Sequence, residues 1–284
     1  MKFTILSDNR SADSRFIAEH GLSVLVESRG RRLLLDAGAS DVFIQNAQTL
    51  GIDLRSVDYL FLSHGHADHT GGVRHFLEVN DRARIILSGQ MVGRQFYTMR
   101  NYMHRITAHL PLDGVGERLM LVEMGKDENR QVEVADGIGV VSHISHRHPL
   151  PLANSLLFVM NDQGQLVRDD FRHEMAIWVD GLLFTGCAHS GLLNILEACP
   201  WPFHTVVGGF HLLDARADER YEEPADLEAV ARKLAADYPN ATLYTSHCTG
   251  DLAFATMQRV MGSQLLPFGC GMEVTIRQTD EKRG

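Results

Sequence analysis

The chain has 284 residues, 44% apolar and 22% charged, with a mean hydropathy of −0.12, a balance that excludes a disordered chain, which pairs low hydrophobicity with high net charge. Lysine and arginine number 27 against 36 aspartates and glutamates, for a net charge of −9 and a pI near 5.9, the wrong sign for a protein whose main work is gripping nucleic acid or an anionic membrane. No apolar run approaches the roughly 18 residues of a membrane span. Residues 1–10 lack the apolar stretch of a signal peptide, and Cys187, Cys199, Cys248 and Cys270 are dispersed without a CxxC pair. The expectation is a cytoplasmic protein without a disulfide framework.

Residues 2–6 are apolar and β-prone. Residues 22–26 and 32–35 flank Glu27-Ser28-Arg29-Gly30-Arg31 and read as a hairpin. Residues 41–50 have helical spacing, with Gly51 to end the helix. A buried strand at 57–62 runs into Ser63-His64-Gly65-His66. A helix at 71–79 and a strand at 83–87 follow. Residues 89–118, rich in Met, Arg, Tyr and Gly, fit neither period. Strands are expected at 119–124, 138–144, 155–160, 175–179 and 182–185, a helix at 191–198 and a short strand at 205–207. Residues 224–237 form the clearest amphipathic helix, with Leu227, Val230, Ala231 and Leu234 on one face and Pro224 near its start. A strand at 242–245 precedes a helix at 252–261 that Asp251 can cap. Residues 278–284 read as a frayed polar tail.

The 15 histidines are the unusual feature. Four times a short apolar strand ends in Gly and His before a helix begins, at 57–70, 182–191, 205–211 and 242–252. Strands that deliver histidines to one sheet edge assemble a metal site from distant sequence. The densest group is Ser63-His64-Gly65-His66-Ala67-Asp68-His69-Thr70-Gly71-Gly72. Imidazole and carboxylate suit zinc and similar divalent ions. A strand-to-helix turn lets His64 and His66 face one ion, and Asp68 and His69 a neighbouring one. A merely His-rich surface turn does not account for such clustering beside a buried strand.

This segment resembles the HxHxDH metal-binding motif of the metallo-β-lactamase superfamily, and Leu33-Leu34-Leu35-Asp36-Ala37-Gly38 resembles its early Asp-Thr/Ala-Gly turn. Glu19-His20-Gly21-Leu22-Ser23, Thr185-Gly186-Cys187-Ala188-His189-Ser190-Gly191, Gly208-Gly209-Phe210-His211-Leu212 and His247-Cys248-Thr249-Gly250 narrow the likeness. They resemble the subgroup of dihydropterin-ribofuranosylaminobenzene-phosphate synthases and related metal-dependent hydrolases. The likeness covers nearly the whole chain and is weakest across 89–180. It implies an α/β layered fold, the four-layer αββα sandwich, as one domain over 1–284 with a flap or insertion at about 89–118.

By resemblance, the first ion takes His64 and His66 and the second Asp68 and His69, with His189 and His247 completing the shell. One of His143, His146 or His148 is an alternative third ligand. Cys187 stands where many members have an aspartate bridging both ions. It is either a ligand or redox thiol or a small buried residue, and without a bridge a single-metal site is an option. One or two divalent ions are expected, zinc first, with Mn or Fe accepted by the same donors. Asp68 would orient a metal-activated hydroxide for attack on a carbonyl or phosphoryl centre, and His211 would steady the leaving group or finish the metal shell. Asp36 either braces the metal loop or holds a turn. His20 is a weaker candidate. Arg94, Arg100 and Arg105, with Tyr97 and Tyr102, are either phosphate-binding cations on a flap or a solvated helix face. His75, His104, His109, His173 and His204 are assigned no role.

These residues imply a hydrolase of a small, phosphate- or pterin-bearing substrate. A synthase or transferase displacing diphosphate from a pterin is the runner-up, and a non-catalytic metal-dependent binding or sensor module the third reading. Nucleic acid and membrane partners are disfavoured. GxSxG, P-loop and GxGxxG motifs are absent.

Overall fold

The computed structural model describes residues 1–11, 13–123, 128–215 and 221–276, so the tail expected at 278–284 lies outside the described residues. In chain order the strands are β1 (Lys2–Ser7), β2 (Ser23–Ser28), β3 (Arg31–Leu35), β4 (Tyr59–Phe61), β5 (Arg84–Ser88), β6 (Phe96–Thr98), β7 (His104–Arg105), β8 (Leu119–Val122), β9 (Arg130–Ala135), β10 (Ile138–Ser142), β11 (Leu157–Met160), β12 (Leu166–Arg168), β13 (Met175–Val179), β14 (Leu182–Phe184), β15 (Thr205–Val207), β16 (Thr242–Thr245), β17 (Leu265–Pro267) and β18 (Glu273–Thr275). The α-helices are α1 (Val42–Thr49), α2 (Ala67–Thr70), α3 (Val73–Val79), α4 (Leu192–Ala198), α5 (Pro224–Asp237) and α6 (Asp251–Met261).

Two seven-stranded mixed sheets stack face to face, ordered β18-β1-β2-β3-β4-β5-β8 and β17-β16-β15-β14-β13-β10-β9. The alternation of side chains along each strand explains the layering. Leu33 and Leu35 on β3 point inward with Phe61 and Ile86 to meet Ile177, Phe184 and Val207 of the opposite sheet. Leu34 between them points outward with Leu60 and Ile85, against Phe43 of α1 and Phe76 of α3. On the second sheet Leu183, Val206, Leu243 and Leu265 sit in parallel register and face α4, α5 and α6 through Ile195, Leu227, Leu234 and Met257. A strand buried on both faces reads as a continuous apolar run, as in Leu33-Leu34-Leu35. The result is the expected αββα order.

Residues 89–118 do not form a helix face. They give β6 and β7, which join β11 and β12 in a small four-stranded sheet, β12-β11-β6-β7. The helix expected at 71–79 starts earlier, at Ala67, and is interrupted at Gly71-Gly72. Both glycines lie hard against backbone: a Cβ would sit 2.2 Å from the Ala39 carbonyl oxygen at Gly71 and 2.0 Å from that of Ala37 at Gly72. Asp251 does not cap α6. It is the first helical residue, and the cap is the carboxylate of Asp214, which accepts from Asp251 N (2.7 Å) and Leu252 N (3.0 Å). No described helix is long and apolar enough to cross a membrane.

Candidate metal centre

The chain leaves β4 into the His-rich turn, which Asp36 at the end of β3 holds from behind. Asp36 is fully buried in the left-handed region, φ 57. Its carboxylate accepts from Ser63 N and Ser63 Oγ, both at 2.7 Å, and pairs with His69 Nδ1 at 2.6 Å. A carboxylate offers only acceptors, so the His69 proton lies on Nδ1 and the Nε2 lone pair faces the site. Gly65 N donates to His173 Nδ1 (3.2 Å), and His173 Nε2 pairs with Asp169 Oδ2 (3.1 Å). This buried pair pins the backbone between His64 and His66. At Gly65 a Cβ would lie 2.2 Å from the Phe96 ring, so the turn and β6 are packed for glycine.

From the second sheet, β14 runs into Gly186-Cys187-Ala188-His189. The carboxylate of buried Glu174 accepts from His189 N (2.7 Å) and Ser190 N (2.6 Å), and Asn154 meets both His189 Nδ1 (3.1 Å) and its carbonyl (2.7 Å). After β16, His247 has φ 56 and is held the same way by Asn9, at its carbonyl (2.8 Å) and Nδ1 (3.1 Å).

Two donor sets result. One ring nitrogen from each of His64, His66 and His189 lies within 4.8 Å of the other two. The Nε2 atoms of all three are buried without a hydrogen-bond partner, an arrangement that costs free energy unless a ligand engages the lone pairs. The second set centres on Asp68, whose Oδ2 lies 3.3 Å from His247 Nε2, 3.7 Å from His69 Nε2 and 3.4 Å from His20 Nε2. His69 Nε2 and His247 Nε2 are 3.0 Å apart, and Cys187 Sγ is 3.1 Å from His69 Nε2. Both sets offer the imidazole and carboxylate donors that divalent ions take.

The electrostatics fit cation binding. Burial, reinforced by neighbouring imidazoles, holds His64 and His189 neutral well below their usual pKa, and burial pushes His66 down to about 3. Asp68 is ionised well below the usual carboxylate range, because the surrounding histidines outweigh its burial. Burial lowers His247 too, but the hydrogen bond with Asp68 outweighs it and raises that imidazole to about 9, so a cation taken there would displace a proton from it. Burial pushes the Cys187 thiol well up.

His20, His66, Asp68, Cys187, His189 and His247 line a cavity of about 720 Å³, and His64 and His69 are fully buried against them. All six expected ligands converge here. His211 also lines it, with φ 50 and both ring nitrogens buried and unpartnered. His20 stacks on His247, 5.3 Å between ring centroids. Arg100 and Arg105 line the cavity, and Arg100 Nε is buried without a partner. Arg94 does not line it and instead donates to Gln90 Oε1 at 3.2 Å. His143, His146 and His148 are not among the residues that line the cavity, and His148 pairs with Glu197. Sequence reasoning passed over Asn9, Asn154, Glu174 and the Asp169–His173 pair. Only His173 carried any signal, as one more histidine.

A profile of the metallo-beta-lactamase superfamily matches residues 17–131. An uncharacterized protein of Methanocaldococcus jannaschii is 28% identical over 215 residues, 74% of this chain and 78% of its own. The 7,8-dihydropterin-6-methyl-4-(beta-D-ribofuranosyl)-aminobenzene-5'-phosphate synthase of the same organism is 26% identical over 269 residues, 87% of each chain. The crystal structure of Tm1679, described as a metal-dependent hydrolase of the beta-lactamase superfamily, is 28% identical and superposes with a TM-score of 0.77 over 97% of this chain and 99% of its own. The matched profile, the αββα layering and the His-x-His-x-Asp-His turn agree: the chain has the metallo-beta-lactamase fold and is similar to proteins of that superfamily.

Proposed function

We propose that the chain is a cytoplasmic metal-dependent hydrolase of a small anionic, phosphate-bearing substrate. It holds one divalent cation at His64, His66 and His189 and a second at Asp68, His69 and His247, with zinc preferred and Mn or Fe tolerated. The observation that carries this reading is the trio of buried, unpartnered Nε2 atoms on His64, His66 and His189. When bound, such cations supply Lewis acidity and lower the pKa of water.

The chain's own residues do the rest. Asp36, Asn154 and Asn9 hold His69, His189 and His247 by Nδ1 and turn each Nε2 inward. Asp68, ionised at neutral pH, accepts a hydrogen bond at the reacting centre and orients the group that gives it. His211, its ring nitrogens uncommitted, donates to a leaving group. Arg100, with a buried free Nε, takes an anionic substituent, and Arg105 flanks it.

A second reading is a synthase that displaces diphosphate from a pterin. It is favoured by the dihydropterin synthase relative, alike over 87% of each chain, and by the same arginine. Plasma mass spectrometry of bound metal on wild type, Asp68→Ala and His189→Ala tests the metal reading. One equivalent per donor set is expected, with each variant losing its own. No metal after metal-replete purification refutes it. Phosphoester turnover in water alone supports the hydrolase, whereas diphosphate release only with an amine co-substrate supports the synthase. Arg100→Ala is expected to raise KM for the phosphate-bearing substrate, and Arg94→Ala to leave it unchanged.

A further inference from the structure

We propose that Cys187, Cys248 and His211 form an additional site for one thiophilic cation, beside the six imidazole and carboxylate donors. Cys187 Sγ, Cys248 Sγ and a ring nitrogen of His211 lie within 4.8 Å of one another. All three side chains are buried, yet all three line the cavity, which supplies an entry path. Both ring nitrogens of His211 are buried with no hydrogen-bond partner. An uncompensated imidazole of this kind is costly to bury, and a bound cation removes the cost.

The backbone is shaped to bring these groups together. His211 sits in the left-handed region at φ 50. Its amide donates to Cys248 Sγ at 3.3 Å, which ties the sulfur to the His211 backbone. Gly209 leaves the space for that sulfur: a Cβ there would lie 2.3 Å from Cys248 Sγ. Two sulfurs and one imidazole, with a fourth position towards the cavity, suit zinc, cadmium or copper(I) rather than magnesium or calcium. Zinc bonds of about 2.0–2.3 Å set tetrahedral donors roughly 3.3–3.8 Å apart, so the observed cluster closes on an ion with shifts of about an ångström. The competing arrangement has Cys187 joining His64 and His69, with which it also clusters. The proposal does not rest on the metal sets of the hydrolase reading, with which it shares no donor; His211, given there to the leaving group, is the one residue that takes part in both.

The test is cobalt(II) loading of the reduced full-length protein. Thiolate-to-cobalt charge-transfer absorption and cobalt equivalents are followed in wild type, Cys187→Ser, Cys248→Ser and His64→Ala. A saturable charge-transfer band is expected in wild type. Cys187→Ser and Cys248→Ser each lose at least half of it, whereas His64→Ala keeps the band and loses a different equivalent. No band at full loading overturns the proposal. So does a band lost in Cys187→Ser but unchanged in Cys248→Ser, which assigns the sulfur to His64 and His69. Should Cys248→Ser not fold, X-ray absorption on cadmium-loaded wild type decides: two sulfur neighbours on one cadmium support the site, and one or none overturns it. Loss of cobalt in His64→Ala bears only on the proposed function, so the two readings fail separately.

Discussion

Asp36→Asn is the most discriminating single substitution. Asparagine is well tolerated in the left-handed region that Asp36 occupies at φ 57, so the backbone need not move. Its amide oxygen still accepts from Ser63 N, but its NH2 replaces the oxygen that faces Ser63 Oγ and His69 Nδ1. Ser63 Oγ can rotate and accept. His69 Nδ1 can accept only by giving up its proton, which moves to Nε2 and covers the lone pair aimed into the site. Loss of such an orienting partner typically costs 10- to 100-fold in metal affinity, or about 1.4–2.8 kcal/mol. That loss falls on the set containing His69. The His64, His66 and His189 set feels it only through Ser63 Oγ, 2.9 Å from His64 Nδ1. Replacing a charged acceptor also costs folding stability, about 1.5–3 kcal/mol for a hydrogen bond to a charged group. Zinc titration against a competing chelator resolves the two affinities, and 15N NMR reads the His69 tautomer. Weakening of one affinity, with a protonated Nε2, is expected. Unchanged affinities, or an equal fall in both, refute the tautomer argument.

Gly65→Ala drives a Cβ into the buried Phe96 ring; overpacking of this kind costs about 1–3 kcal/mol. A drop of several degrees in Tm is expected, with partial recovery in Gly65→Ala/Phe96→Leu, and no recovery would locate the strain elsewhere. Burial raises the Asp169 carboxyl, but His173 outweighs it and holds the group below its ordinary 3.8. Its stabilisation is therefore present above about pH 4 and lost as pH falls, so Asp169→Asn is expected to flatten the acid limb of the urea midpoint plotted against pH. Asp214→Ala removes the acceptor at the start of α6 and should cost about 1 kcal/mol, read as a fall in the urea midpoint with no change in m.

The layered fold was legible because its strands are short apolar runs and its outer helices are amphipathic. Residues 175–179, 205–207, 224–237 and 242–245 are read from sequence with the bounds the structure gives. Four of the six proposed donors are legible because they fall within one six-residue turn. His189 and His247 were reached through resemblance, since their proximity depends on parallel pairing across the second sheet. What remained hidden has no local pattern. Asn154 acts through an amide contact with a residue 35 positions away, Asn9 through one 238 positions away. Asp214 caps a helix that begins 37 residues later. β12 is a three-residue exposed strand and β7 is two residues long, so hydrophobic period says little about them; β9 is half-buried and carries only a short alternation, Val132 and Val134 between Gln131, Glu133 and Ala135.

The proposed donors come from both sheets: His64, His66, Asp68 and His69 follow β4, whereas His189 follows β14 and His247 follows β16. Cations held by either set would therefore rivet together two halves of the sandwich that otherwise meet through the apolar core and scattered hydrogen bonds, such as those of Asn9 with His247 and of Met175 N with the Ser63 carbonyl. Their departure would be gated by the parting of that seam, not by exchange at an open ion. Retention would then be a kinetic property of the fold. Chelators would strip metal at a rate set by the opening of the seam, and hydrogen exchange at the ends of β4, β14 and β16 would quicken once the rivets are gone.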